Sequence, residues 1–226
     1  PIVDKAIAEL EWCLEHGARC ILIRPAPAWG LRGPSSPGLP EFDPFWARVQ
    51  ESGVLVGMHS SDSGYADLVS IWEGRTEFLP FKPNPLRSLV MANRAITDMM
   101  NAMVCHGAFS RFPDLRIATI ENGGTWVRPL VDGLESIYKK MPQEFGEHPV
   151  EAFRRNVYVN PFWEDALEGL VDIMGPERLL FGSDYPHPEG LGDPVSFVDD
   201  LPESLSPEDT ARIMGGNLQE LLHLNS

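Results

Sequence analysis

The chain has 226 residues, 43% of them hydrophobic and 23% charged, which suits one soluble globular domain, residues 1–226, with a sizeable core. Its net charge of −15 repels phosphate backbones and anionic lipid, so the composition argues against nucleic-acid and membrane partners. No apolar run approaches the length of a membrane span, and the opening PIVDKAIAELEW lacks the basic start and apolar core of a signal peptide. In chain order, Val3, Ile7, Leu10 and Leu14 recur at helical spacing, with Gly17 as the C-terminal cap. Cys20–Ile23 is a short unbroken apolar run, the pattern of a strand buried on both faces, and it ends in Arg24. The loop from Pro25 to Pro40 is rich in Pro and Gly and long for a compact domain, and Trp29 within it is placed to line a pocket. Asp43 to Glu51 reads as a short helix with Phe45, Trp46 and Val49 on one side.

The same alternation then repeats. Val54–Met58 reads as a strand ending in His59, and a helix follows from Leu86 to Met103. Arg116–Ile120 is a strand ending in Glu121-Asn122-Gly123-Gly124, followed by a helix from Trp126 to Tyr138. Val157–Val159 is a strand ending in Asn160, with a helix from Trp163 to Met174. Leu179–Phe181 is the fifth strand and ends in Gly182-Ser183-Asp184. Ser206-Pro207-Glu208-Asp209 carries the N-cap, first-position proline and first-turn acids of a helix start. Strand, loop and helix alternating five times point to a parallel α/β architecture, either a doubly wound sheet or a (β/α)₈ barrel. No Gly-rich dinucleotide fingerprint or P-loop follows any strand, which weakens the doubly wound nucleotide-binding alternative.

Both architectures bind ligands at the C-terminal ends of their strands. The residues delivered there are Arg24, His59, Glu121, Asn160 and Asp184: a cation, an imidazole, a carboxylate, an amide and a second carboxylate. Histidine with carboxylates is the ligand chemistry of a divalent metal such as zinc. Each residue alone has an ordinary explanation: a hydrogen-bonded histidine, a turn aspartate, a glutamate paired with an arginine. Asp184 precedes Tyr-Pro-His-Pro, which cannot start a helix at once, so capping suits it poorly. His16 and His106 stand beside glycines at helix ends and read as C-terminal caps, and His148 and His223 as surface residues. The three cysteines, Cys13, Cys20 and Cys105, form no CxxC pair and imply buried thiols in a reducing, cytoplasmic setting. Cys105 reads as core, as do most Trp and Met residues.

Three stretches carry a resemblance. Leu179–Gly190, LLFGSDYPHPEG, is similar to the last barrel strand of the amidohydrolase-related family that includes aminocarboxymuconate-semialdehyde decarboxylase. Phe109–Glu121, FSRFPDLRIATIE, resembles that family's approach to and passage through strand 6, and IMGGNLQELLHL from Ile213 resembles its C-terminal helix. The resemblance implies a distorted (β/α)₈ barrel whose metal is held by a His-x-His pair on strand 1, a histidine after strand 5 and an aspartate after strand 8. His59 then becomes the strand-5 ligand and Asp184 the strand-8 ligand, with this chain carrying strands 4 to 8. Zinc is the expected metal, with manganese the alternative.

The chain departs from the family pattern in two respects. It contains no His-x-His, so it looks like a partial barrel lacking strands 1 to 3. Glu121 also stands where decarboxylase-like members carry a histidine after strand 6, which points to a different subgroup. An open barrel leaves two unpaired edges, so the chain is expected to aggregate, to pair edges with a partner (a homodimer being one form), or to derive from a longer protein. The resemblance implies a metal-dependent hydrolase or nonoxidative decarboxylase acting on a small carboxylate-bearing or cyclic substrate. In a hydrolase, the metal acidifies water and Asp184 takes its proton. Glu121 and His187 complete the catalytic candidates, with His187 orienting Asp184 or touching substrate. Arg24, Trp29 and Asn160 are the candidates for substrate contact, Arg24 as a clamp for a carboxylate. The competing expectation is a non-catalytic half-barrel or interaction module without a complete metal site.

Overall fold

A computed structural model of the chain describes residues 2–61, 63–74, 84–188 and 190–224. Helix α1 (Val3–Glu15) leads into β1 (Cys20–Ile23), the strands β2 (Ala28–Gly30) and β3 (Gly33–Ser35), helix α2 (Asp43–Ser52) and β4 (Leu55–His59). Helices α3 (Tyr65–Glu73), α4 (Pro85–Ala92), α5 (Arg94–Cys105) and α6 (Ala108–Arg111) precede β5 (Ile117–Ile120). Helices α7 (Val127–Lys140) and α8 (Pro149–Asn156) precede β6 (Val157–Val159), and α9 (Leu167–Met174), α10 (Pro207–Ala211) and α11 (Asn217–Leu221) follow. Among the described residues no helix is long and apolar enough to cross a membrane.

The sheet has the order β1-β4-β5-β6, every pair parallel. Strand alternation divides its side chains between two apolar clusters. Val56, Met58, Ile117, Val157 and Val159 pack against the helices, meeting Ile96, Met100, Phe109 and Phe153 in the main core. Leu55, Ala118 and Leu180 point to the other side, where Cys20, Ile120, Tyr158 and Leu221 join them. That inner side is crowded at its middle: a Cβ on Gly57 would stand 2.7 Å from Leu22 Cδ2 and 3.0 Å from Ile120 Cδ1. The architecture is an arc of a (β/α)₈ barrel with helices outside and a small apolar filling within.

Several expectations from the sequence need correcting. Leu179–Phe181 is a single parallel bridge, Val159 to Leu179, and not a fifth strand. The Leu180 N–H donates to the Val159 carbonyl at 2.8 Å, but the Phe181 N–H turns away to the Ile213 carbonyl at 3.0 Å. Phe181 also packs on Phe197 with ring centroids 5.3 Å apart, so the segment leaves the sheet for the C-terminal helices. The helix expected from Leu86 to Met103 breaks at Asn93, whose backbone (φ −120°, ψ −7°) is not helical. The helix expected from Trp163 starts only at Leu167, because the Asp165 carboxylate holds the Phe162 N–H at 2.8 Å in a separate turn. The long loop contains the antiparallel pair β2–β3, with Trp29 opposite Pro34. Cys105 is exposed and Cys13 and Cys20 are half-buried, Cys20 against the inner apolar cluster. Trp12, Trp29, Trp72 and Trp163 are likewise exposed. His148 is half-buried and T-stacked on Tyr138 at 4.5 Å, so it is not a plain surface residue.

Buried polar side chains lock the turns that feed the strands. Asn156 is fully buried, and its amide donates to the carbonyls of Phe112, Pro113 and Leu115, closing the turn before β5. Arg155 beside it binds Glu147 through two nitrogens, at 2.6 and 2.9 Å, and the Phe109 carbonyl at 2.8 Å. The Arg155 hydrogen bond holds the Glu147 carboxyl below its ordinary value of 4.5. A depressed carboxyl pKa contributes stability that is present above the unfolded value and lost as pH falls through the folded one. Glu147→Gln should therefore melt below the wild type at neutral pH, with the gap closing as melts are repeated at progressively more acidic pH. A gap independent of pH would refute this.

Candidate metal centre

Parallel pairing brings the C-terminal ends of β4 and β5 to one rim. His59 is the last residue of β4, and Glu121 is the first residue after β5. Glu121, just after β5, and Asp184, five residues after the Leu179 bridge, both have left-handed backbone, at φ 54° and φ 56°. Such a conformation in a residue with a side chain costs of order 1–3 kcal/mol and persists only when its surroundings enforce it. At Glu121 the enforcement comes from Asn122, which is buried and donates to the carbonyls of Met58 at 2.9 Å and Ile120 at 2.7 Å. At Asp184 it comes from a loop closed on itself. His187 N–H donates to the Asp184 carbonyl (2.9 Å), Gly190 N–H to His187 (3.0 Å) and Leu191 N–H to Ser183 (2.8 Å).

The side chains converge. His59 Nε2 lies 2.9 Å from Glu121 Oε2, while its Nδ1 is 2.6 Å from the Ser60 carbonyl. The Nδ1–carbonyl contact requires the proton on Nδ1, so the 2.9 Å contact between Nε2 and Glu121 takes one further proton, on Nε2 or on the Glu121 carboxyl. His187 Nδ1 lies 3.4 Å from Asp184 Oδ1 and 3.6 Å from Glu121 Oε1. Burial, followed by a hydrogen bond shared with Asp184, raises the Glu121 carboxyl above its ordinary value, against the pull of His59 and His187. Glu121 thus pairs with imidazoles and a second carboxylate, and not with the arginine that its sequence position allowed.

Glu121, Asp184 and His187 each offer one ligand atom, all within 4.8 Å of one another. Two carboxylates and an imidazole on one rim fit a divalent cation, and crowding like charges without one is unfavourable. His59 stands next to this group through Glu121. Asn160 lies at the same end of the sheet, where its amide donates to the Leu180 carbonyl at 3.1 Å and its side chain fills the space beside Gly182. Arg24 and Trp29 instead line a separate cavity of 370 Å³ with Phe42, Phe45 and Trp46. Sequence reasoning missed Asn122, Asp165 and Trp126. Asn122 follows Glu121 directly, so a polar residue at a buried strand end was the signal available.

The protein-family model described as amidohydrolase matches residues 1–224. An amidohydrolase of known structure from Mycobacterium avium subsp. paratuberculosis K-10 is 42% identical, with a TM-score of 0.90, and is matched over 98% of this chain and 55% of its own. The curated 2-amino-3-carboxymuconate-6-semialdehyde decarboxylase of Dictyostelium discoideum is 28% identical over 136 residues, 55% of this chain and 35% of its own length. A dihydroxybenzoic acid decarboxylase from Polaromonas sp. JS666, solved with manganese and the inhibitor 2-nitroresorcinol, shares the fold. It has a TM-score of 0.75 at 20% identity, covering 99% of this chain and 67% of its own. The chain thus spans only part of the length of the relatives it matches.

Proposed function

The chain belongs to the amidohydrolase family, and from that premise we propose that it supplies part of the active site of a metal-dependent carboxy-lyase acting on small ring-shaped or unsaturated carboxylic acids. The observation that carries the reading is the convergence of His59, Glu121, Asp184 and His187 at one rim. The decarboxylase names of the relatives favour loss of carbon dioxide over hydrolysis, and the manganese of the Polaromonas relative favours a divalent metal. Glu121, Asp184 and His187, with His59 beside them, would hold zinc or manganese. A divalent cation there supplies a Lewis acid that polarises a substrate oxygen.

The chain's own groups handle the proton. Nonoxidative decarboxylation breaks the bond between carbon and carboxylate, leaves the electron pair on carbon and replaces carbon dioxide with a proton. The His187 side chain is 58% exposed and that of Asp184 17%, and His187 Nδ1 lies 3.4 Å from Asp184 Oδ1. His187 passes a proton inward, and Asp184 delivers it to the substrate carbon. Glu121 fixes the His59 ring by the 2.9 Å contact.

The test is the purified protein supplied with manganese or zinc, followed for carbon dioxide release from hydroxybenzoic acids and for cleavage of amides and lactones. Carbon dioxide release that disappears with a chelator supports the proposal. Hydrolysis alone overturns the carboxy-lyase reading, and absence of both stoichiometric metal binding and turnover favours a non-catalytic module.

A further inference from the structure

We infer that Asp165 is a positioning residue that fixes the backbone carrying Glu121, an inference that rests on the proposed role of Glu121 in the metal centre. One carboxylate oxygen, Oδ2, accepts from the Gly124 N–H at 2.6 Å and from the Phe162 N–H at 2.8 Å. It therefore joins two loops that are 41 residues apart in sequence. Both loops follow a strand at the same rim, β5 for Gly124 and β6 for Phe162.

The Glu121–Gly124 turn is built to be gripped. Glu121 and Gly123 are both left-handed, at φ 54° and φ 59°, and Asn122 between them is buried. Glycine takes that conformation freely, but Glu121 does not and depends on its surroundings to hold it. Asn122 ties its start to β4, and the Trp126 indole N–H donates to the Gly123 carbonyl at 2.8 Å. Asp165 adds an ionisable group to this grip; a hydrogen bond to a charged acceptor is about twice as strong as a neutral one.

The glycines make the approach possible. A Cβ at Gly123 would stand 2.8 Å from the Phe162 ring, and a Cβ at Gly124 would stand 2.7 Å from Leu170 Cδ2 and 3.3 Å from Asp165. The Gly-Gly pair after Glu121-Asn122 is thus the surface on which the Phe162–Asp165 turn docks. Releasing that turn frees Glu121 to leave His59 and the two ligands beside it.

The test compares the wild type with Asp165→Ala and Asp165→Asn by amide hydrogen exchange, manganese titration and kinetics. Asp165→Ala should speed exchange at residues 121–124 by at least ~10-fold while exchange in β4 and β5 stays slow. Manganese affinity should fall by about 10–100-fold, the range for groups that orient metal ligands. Turnover should fall through kcat with KM little changed, and Asp165→Asn, which keeps an acceptor oxygen, should recover part of each loss. A variant that is merely less stable, with wild-type exchange at residues 121–124 and wild-type metal affinity, overturns the inference. Should the wild type neither bind metal nor turn over substrate, the proposed function fails, and exchange at residues 121–124 alone then decides the role of Asp165. Should the alanine variant not fold, the asparagine variant carries the same comparison.

Discussion

Asp184→Asn should lower carbon dioxide release by ~10³-fold, within the range of positioned acid–base catalysis, while leaving the fold intact. The substitution keeps the shape of the side chain and removes its charge and its ability to give up a proton. Manganese affinity should fall at least ~100-fold, since removing groups one step further from a metal already costs about 10–100-fold. Stability should move the other way. Asp184 shares a hydrogen bond with the Glu121 carboxyl, and its backbone is held at φ 56°. An asparagine tolerates the left-handed region well and brings no second negative charge. The metal-free variant should therefore melt at or above the wild-type temperature. Opposite signs for stability and activity mark a residue kept for chemistry. The measurement is a pair of melting curves beside a metal titration and a turnover assay. Unchanged metal binding and turnover would remove Asp184 from the site.

The strands and the rim were legible in the sequence because they depend on short-range patterns. Four short, largely apolar stretches, each followed or ended by a polar residue, give the parallel strands and place His59 and Glu121 at the C-terminal end. Asp184 was legible for another reason: Tyr-Pro-His-Pro rules out the helix that a capping aspartate would start. What escaped notice depends on partners far along the chain. Phe181 leaves the sheet for the Ile213 carbonyl, which an apolar run alone does not reveal. Asp165 leaves the helical pattern to hold Gly124, and Asn93 interrupts one long periodic stretch. Arg24 and Trp29, the candidates for substrate contact, line a cavity with Phe45 and Trp46 of α2. A strand end tells which residues reach the rim but not how far each side chain leans across it.

Phe153→Ala should cost about 3–5 kcal/mol of stability, the range for removing a buried aromatic ring. In a domain of this size that lowers the melting temperature by roughly 6–20 °C. Phe153 is fully buried on α8, and its ring meets Trp126 edge to face, with centroids 5.9 Å apart at 80°. The lost volume therefore opens directly behind the indole that holds the Gly123 carbonyl. The effect should reach the metal centre, since Gly123 lies two residues beyond Glu121 in the same strained turn. Phe153→Leu separates the two consequences. It restores most of the volume but not the edge-to-face contact, which is worth about 0.5–1.5 kcal/mol beyond area. The leucine variant should recover most of the melting temperature, and metal affinity should recover with it if volume alone keeps Trp126 in place. Recovery of stability without recovery of metal affinity would show that the aromatic contact itself orients the indole. Wild-type metal affinity in a destabilised alanine variant would show that the turn is held by Asn122 and Asp165 without help from the core.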